Sequence, residues 1–119
     1  MYVEMHEFCP VSEAARIVGR KWTLLIIYHL LESPRRFCEL QELLGGVNPT
    51  TLSQRLKMLE RQGLVHRHQR PTVPPWVQYE LTPKGQALRP VIESMAAWGN
   101  RWLSPDGTSQ TLAKESNRA

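Results

Sequence analysis

Hydrogen-bonding side chains are followed by basic ones along the segment that begins at Pro49. Leu52, Leu56 and Leu59 recur at helical spacing, so a helix formed here turns these three leucines toward a core. The polar side chains left on its outer face are Thr50, Thr51, Ser53, Gln54, Arg55 and Lys57. Glutamine and arginine hydrogen-bond base edges in the major groove of DNA, whereas hydroxyls and lysine suit phosphates. The pattern predicts a DNA-binding helix, and the alternative is a solvated helix face.

A second candidate DNA contact surrounds a proline-rich loop, Pro71-Thr72-Val73-Pro74-Pro75. Arg67 and Arg70 precede the loop, and a strand pattern lies on either side of it. We expect a stiff, protruding β-hairpin, called the wing below, whose two arginines contact DNA. The alternative is a surface hairpin whose arginines only keep an edge strand from pairing. Arg35 and Arg36 are a further candidate pair of phosphate contacts.

The two cysteines raise the question of redox and metal chemistry. Cys9 precedes a proline at the start of a predicted helix, where the helix N-terminus favours a thiolate. It is therefore a candidate sensor of oxidants or electrophiles, or else a small buried hydrophobe, and Cys38 is expected to pack. No four-ligand set forms around His6 and Cys9 or around His66 and His68, and no catalytic motif is present. We expect no metal, no cofactor and no enzymatic activity.

The composition is that of one small globular domain. The chain has 119 residues, of which 41% are hydrophobic and 22% are charged. Its whole formal charge of +4 falls between Thr50 and Gln78, a stretch with five basic residues and one acidic residue. A local basic patch on a neutral scaffold is typical of DNA recognition. No apolar run is long enough to span a membrane and no signal-peptide pattern is present, so we expect a cytoplasmic protein with free thiols.

The elements that must position these side chains are mainly helical. The predicted helices span Val11–Val18, Lys21–Glu32, Phe37–Leu44, Pro49–Gln62 and Pro83–Leu103, and the predicted strands span Leu64–Arg70 and Trp76–Leu81. Pro90 is expected to kink the last helix or to mark a late start. A short helix, a Gly-Gly turn, a capped helix and a hairpin together predict a winged helix-turn-helix, a mainly α fold with a small β-hairpin.

Apolar side chains near both ends of the chain exceed what a three-helix core needs. We expect them to form a two-fold interface, with packing on the chain's own core as the alternative. They are Tyr2, Val3, Phe8, Val91, Met95, Trp98 and Trp102. The predicted organisation is an N-terminal arm over 1–8, one DNA-binding and dimerising domain over 9–103, and a flexible polar tail over 104–119.

Three ordered stretches resemble the HxlR-type winged-helix transcriptional regulators, which are relatives of the MarR regulators. They are CPVSEAARIVGRKWTLLIIYHLLESPRRFCEL, NPTTLSQRLKMLERQGLV and VPPWVQYELTPKGQALRPVIESMAAWG. The resemblance implies a homodimer joined through its first and last helices. It implies that the helix from Pro49 enters the major groove and that the wing, including Thr72, contacts the minor groove or backbone. It also implies an oxidant- or electrophile-sensing role for Cys9. Many members carry a lysine where this chain has Thr50.

The residues and the resemblance together predict a sequence-specific repressor. Its expected partners are a double-stranded, pseudo-palindromic DNA operator and a second copy of the chain, with a small-molecule or redox effector as a candidate regulator. No membrane partner is expected. Two other functions remain open on the sequence: a winged helix that binds a protein partner, and a thiol-based redox protein in which Cys9 does the chemistry.

Overall fold

A computed structural model of the protein describes residues 7–105, so Tyr2, Val3 and most of the predicted tail lie outside the described residues. The elements are α1 (Pro10–Val18), α2 (Lys21–Glu32), α3 (Phe37–Leu44), α4 (Pro49–Arg61), β1 (Val65–Arg70), β2 (Trp76–Leu81), α5 (Pro83–Gln86) and α6 (Arg89–Leu103). They divide into two compact units, one with α1–α5 and the hairpin, and one with α6. The predicted mainly α fold with a small hairpin is confirmed.

The core of the first unit is built from leucine and isoleucine side chains of three helices. Helix α2 is apolar on most of its surface, as a helix in the middle of a domain must be. Its largest fully buried apolar side chains are Ile26, Ile27 and Leu30 of α2, Leu40 of α3, and Leu52, Leu56 and Leu59 of α4. Because the three leucines of α4 face this core, the opposite side of α4 is left to solvent, as the spacing predicts.

The turn between α3 and α4 fixes the start of α4. Gly45 and Gly46 have φ of 47° and 92°, values that favour glycine, and they end α3. The Asn48 Oδ1 atom then accepts the backbone N–H groups of Thr50 at 2.8 Å and Thr51 at 3.4 Å. Pro49 occupies the first turn of α4, where its missing N–H costs nothing. The predicted helix-turn-helix with an Asn-Pro cap is confirmed.

The wing is a two-stranded antiparallel hairpin, with Val65 opposite Leu81 at its base and Arg70 opposite Trp76 at its end. Strand β1 begins one residue later than predicted, after Gly63 turns the chain out of α4 with φ of 78°. The backbones of Arg35 and Tyr79 exchange hydrogen bonds of 3.0 and 2.8 Å, which form an isolated antiparallel β-bridge beside β2. This bridge ties the wing to the chain just before α3.

The prediction of one continuous last helix is wrong, because the chain forms the one-turn α5 and then α6. Gly85 of α5 lies so close to the start of the hairpin that an added Cβ would clash with the Leu64 carbonyl oxygen. Pro90 lies in the first turn of α6, so the late start offered as an alternative is confirmed. Among the described residues, no helix has the length and apolar character needed to cross a membrane.

Candidate nucleic-acid interface

The outer face of α4 presents the polar side chains that the sequence assigns to DNA, but not all equally. Thr50, Gln54 and Lys57 are exposed, whereas Thr51 and Ser53 are half-buried at the edges of the core stripe. Arg61 is also exposed, and it follows Gln54 by seven residues and Lys57 by four. The sequence reasoning omitted Arg61, although its helical spacing places it on the same face.

Arg55 lies at the side of α4 rather than at the centre of its exposed face. Its side chain is half-buried, and its Nε–H is covered yet has no hydrogen-bond partner among the described residues. A covered N–H without an acceptor costs about 1–3 kcal/mol, so an acceptor supplied by a ligand would relieve that cost. The assignment of Arg55 to DNA contact stays a prediction, and its geometry favours an edge contact over a central one.

Helix α4 and the wing line a single cleft of about 410 Å³. Its lining comes from α4, which contributes Ser53, Lys57 and Glu60, from the wing, which contributes Arg67 and Tyr79, and from Phe37 of α3. Arg67 is exposed and donates from Nη1 to the Gln69 Oε1 atom at 2.8 Å, which orients its guanidinium. The cleft therefore brings two of the predicted cationic contacts, Lys57 and Arg67, to the same surface.

Arg70 belongs to the opposite face of the hairpin from Arg67, because side chains alternate along a strand. Its Cζ atom lies 4.1 Å from the centroid of the Trp76 ring, and the Cζ of Arg36 lies 5.9 Å from that same ring. His68 and Glu80 share this face and are joined by a 2.8 Å contact between Nε2 and Oε1. Stacking on Trp76 limits the freedom of Arg70 and holds its charge beside the loop.

The two predicted phosphate contacts, Arg35 and Arg36, have different environments. The Arg35 side chain is only 19% exposed, forms a 2.5 Å ion pair with Glu32 and donates from Nε to the carbonyl of His29. Arg36 instead approaches Trp76. Burial, and after it the nearby Arg35 charge, lowers the pKa of His29 below 6.5. Arg36 is therefore beside the wing, whereas the side chain of Arg35 is bonded to residues of α2.

The loop at the end of the wing is exposed over its whole length, Pro71 to Pro75. Its conformation is held from within: Thr72 donates its backbone N–H to the Arg70 carbonyl at 2.9 Å and its hydroxyl to the Pro74 carbonyl at 2.8 Å. Val73 at the tip is 100% exposed. Thr72, the threonine expected to contact DNA, uses its hydroxyl hydrogen to shape the loop.

Both thiols are exposed and neither is in a disulfide. Cys9 is the N-cap of α1, and its Sγ accepts the Ser12 backbone N–H at 3.5 Å. The prediction that Cys38 packs is wrong, because it lies on the open side of α3 beside Glu39 and Glu42. No cluster of three potential metal ligands occurs within residues 7–105.

Apolar side chains at the two ends of the described chain are left uncovered. In the first unit, α1 has no buried residue, and Phe8 and Val11 are each 77% exposed. In the second unit, α6 buries Ile92, and the side chains predicted for a two-fold interface are exposed. Those of α6 are Val91, Met95, Trp98 and Trp102. They recur at intervals of three and four residues and therefore form one stripe.

Comparison with known proteins gives a consistent result. Residues 17–107 match the sequence model of the family described as HxlR-like helix-turn-helix. The HTH-type transcriptional regulator YdeP of Bacillus subtilis is 40% identical over 96 residues, which cover 81% of this chain and 75% of YdeP. A MarR-family transcriptional regulator from Porphyromonas gingivalis has a structure that aligns with a TM-score of 0.78 and 39% identity, over 82% of this chain and 95% of that one.

A third relative has been solved in several chemical states. The transcriptional regulator YodB of B. subtilis in its reduced form aligns with a TM-score of 0.69 and 38% identity, over 83% of this chain and 98% of YodB. Diamide-treated and quinone-bound structures of YodB align with TM-scores of 0.66 and 0.67.

Proposed function

The chain belongs to the HxlR-like helix-turn-helix family of transcriptional regulators, and from this premise we propose that it is a homodimeric repressor that binds a pseudo-palindromic DNA operator. The single observation that carries the proposal is the arrangement of α4. Its leucine stripe is buried, its polar face is exposed, and Lys57 shares a cleft with Arg67 of the wing. One face of the molecule thus combines side chains that suit base edges with side chains that suit phosphates, which supports the proposal.

Each contact has a role set by its chemistry and position. Gln54, exposed in the middle of α4, is proposed to hydrogen-bond a base edge, and Arg55 to contact the edge of the same groove. Thr50 and Lys57 are proposed to contact phosphates beside the helix. Thr51 and Ser53 are half-buried and contribute contacts at the margin. Arg67 and Arg70 are proposed to bind phosphates next to the wing, and Arg36 supports them from beside Trp76.

The dimer is proposed from the uncovered apolar side chains of α1 and α6. A helix without a single buried residue gains little from its own fold, so α1 is expected to gain its packing from a second copy. The stripe of α6 offers two tryptophans, which are enriched at the centres of interfaces. In a two-fold dimer, two copies of α4 reach successive major grooves about 34–36 Å apart. An operator with two inverted half-sites follows.

A redox or electrophile response through Cys9 is the second part of the proposal. It is supported by the exposure of Cys9, its place at the N-terminus of α1 and the diamide-treated and quinone-bound structures of the relative YodB. The proposed step is attack of the Cys9 thiolate on an electrophilic carbon of a quinone. A carbon–sulfur bond forms as the ring C=C π bond breaks, and its electron pair moves to a carbonyl oxygen, which takes a proton from solvent. The proton on the attacked ring carbon then moves to the second oxygen, which gives a hydroquinone joined to Cys9 through sulfur. Because Cys9 lies beside α1, the adduct would disturb the proposed dimer.

DNA binding is tested with the duplex upstream of the chain's own gene. Fluorescence anisotropy at fixed salt, against an excess of unrelated DNA, is expected to give specific binding, and footprinting is expected to give two protected half-sites one helical turn apart. The matched control is Gln54→Ala with Lys57→Ala, which removes two exposed contacts without touching the core. Equal affinity for both duplexes would contradict the operator and would favour a protein-binding winged helix.

The cysteine response is tested with a matched pair of variants. Cys9→Ser and Cys38→Ser each remove one exposed thiol, but only Cys9 caps a helix. Treatment with benzoquinone is expected to release DNA from the native chain and from Cys38→Ser, and to leave the Cys9→Ser complex intact. Intact-mass spectrometry measures the adduct on each protein. Release from Cys9→Ser at the native dose would overturn the assignment.

A further inference from the structure

The end of the wing is apolar where a DNA-binding loop would be expected to carry charge. No charged residue occurs between Arg70 and Glu80, and the loop between the strands consists of three prolines, Thr72 and Val73. Val73 is fully exposed and so contributes nothing to the core. The prolines and the two hydrogen bonds of Thr72 nevertheless hold the tip in one conformation. A single exposed valine is common on protein surfaces, and what distinguishes Val73 is its place at the end of a hairpin that carries Arg67 and Arg70 on its two faces.

We propose that Val73 is a minor-groove wedge: its side chain enters the groove beside each half-site, and the protein reads there how easily the DNA widens or kinks. This rests on the proposed DNA-binding function, and it assigns sequence preference to a residue that makes no hydrogen bond to a base. Apolar side chains placed between base steps act in this way in architectural DNA-binding proteins, at a cost that depends on the step that is deformed.

The dimensions of the groove favour the tip over the rest of the wing. The minor groove is about 6 Å wide and about 7.5 Å deep. Two paired strands with their side chains are wider than this, since the backbones alone are separated by about 4.8 Å. A single valine at the turn fits. The flanking prolines carry no N–H that would lose a hydrogen bond to water when the groove closes around them.

The two arginines of the wing fit the same arrangement. Arg67 and Arg70 lie on opposite faces of the hairpin, one held by Gln69 and the other by Trp76. A tip inserted in a groove has a phosphate backbone on each side, so arginines on opposite faces can each approach a different strand of the duplex. The tip needs no charge of its own because its neighbours provide the electrostatic attraction.

The test uses a graded series at Val73, read with two independent measurements. The duplex is the bound upstream DNA with a dye at each end, so that anisotropy gives affinity and energy transfer gives the bend. Val73→Ala removes two methyl groups from the contact and is expected to lower affinity about tenfold and to reduce the bend. Val73→Ile is expected to keep both. Arg67→Ala is the matched control. It should reduce the slope of log affinity against log salt concentration by about the contribution of one phosphate contact, and it should leave the bend unchanged.

A second comparison addresses the DNA. A flexible pyrimidine–purine step placed at the footprinted wing position is expected to strengthen binding of the native chain and not of Val73→Ala. If Val73→Ala binds and bends the duplex like the native chain, the wedge is overturned while the proposed function stands. If the native chain does not discriminate its upstream DNA, the proposed function itself fails. Because Val73 is fully exposed, unchanged thermal unfolding of each variant checks that the fold is intact.

Discussion

Helices α4 and α6 have the same apolar periodicity in the sequence, but the apolar side chains are buried on α4 and mostly exposed on α6. Both repeat large apolar side chains at intervals of three and four residues. On α4 the stripe of Leu52, Leu56 and Leu59 is completely buried. On α6 only Ile92 is buried, and Trp98 of the repeating stripe is 60% exposed. The two helices therefore show that a periodic stripe predicts a helix and the side on which it will be covered, and does not say what covers it.

The difference separates two kinds of apolar contact. The stripe of α4 is covered by the chain's own core and stabilises the fold. Folding therefore places little constraint on the polar side chains of the opposite face. The stripe of α6 is exposed, and the proposed function assigns it to association with a second copy. In the proposed dimer, stability and assembly would be encoded on different helices, and substitutions on each should change different measurements.

The largest expected effect is on the stability of the fold, through the buried stripe of α4. Leu56→Ala leaves a cavity in a fully packed core, and we expect the free energy of unfolding to fall by about 2–5 kcal/mol. Urea unfolding followed by circular dichroism measures it. Lys57→Ala, the exposed neighbour on the same helix, is the control and should change stability by no more than about 0.5 kcal/mol. A loss below about 1 kcal/mol for Leu56→Ala would show that the core around α4 closes over the gap.

The next largest effect is expected on self-association, through the exposed stripe of α6. Trp98→Ala is expected to weaken self-association by about 2 kcal/mol or more, about thirtyfold in Kd, because a tryptophan near the centre of an interface is a typical hot spot. Sedimentation equilibrium over a range of concentrations measures it. Asn100→Ala, exposed on the other side of α6, is the control. A native chain that is monomeric at all concentrations would refute the dimer, and an unchanged Kd for Trp98→Ala would move the interface elsewhere.

How far the sequence predicts the fold follows from this comparison. The Asn48-Pro49 cap and the leucine stripe are local signals, so α4 was predictable almost to the residue. The break between α5 and α6 was less so, because Pro90 signals either a kink or a late start and the local sequence does not decide between them. Cys38 was expected to pack because small apolar residues usually do, but only tertiary structure decides which side of a short helix is covered.

The sequence predicts which side chains line the candidate site better than it predicts the burial and the partners of each one. The sequence pattern lists the polar side chains of α4, but burial distinguishes the exposed Gln54 from the half-buried Arg55. Two adjacent arginines look alike in the sequence, whereas Arg35 is held by Glu32 and Arg36 lies near Trp76. These distinctions depend on partners from other elements, and local spacing contains no information about them.

A smaller effect concerns the polar face of α4. Arg55→Ala is expected to weaken specific binding to the upstream duplex by about 1–3 kcal/mol, as the loss of a groove contact does. Because its Nε–H is covered and without an acceptor, the same change should leave stability unchanged or slightly higher. Anisotropy at fixed salt gives the affinity, and sedimentation gives the oligomeric state, which should not change. Unaltered affinity would place Arg55 outside the DNA contact and confine the role of α4 to its central face.

The smallest expected effect is a dependence of stability on pH. Burial and the neighbouring Arg35 lower the pKa of His29 in the folded chain, so the unfolded chain binds more protons below pH 6.5. Stability should therefore fall as the pH drops through 6.5, and levels off below the lowered pKa of the folded state. His29→Gln is expected to flatten this dependence in thermal unfolding curves between pH 7.5 and pH 5. Helices α1 and α6, which are proposed to form the dimer, contain no histidine, so self-association should not follow the same curve.

The bridge between Arg35 and Tyr79 has a consequence for how such proteins diversify. Both of its hydrogen bonds join main-chain atoms, so the link does not depend on the side chains at these positions. Under the proposed function, it fixes the span between the helix that reads the major groove and the tip of the wing. Substitutions on α4 or at Val73 can then change the preferred DNA sequence while that span is inherited unaltered. New operators can arise by exchange of single side chains, without a new arrangement of the elements that carry them.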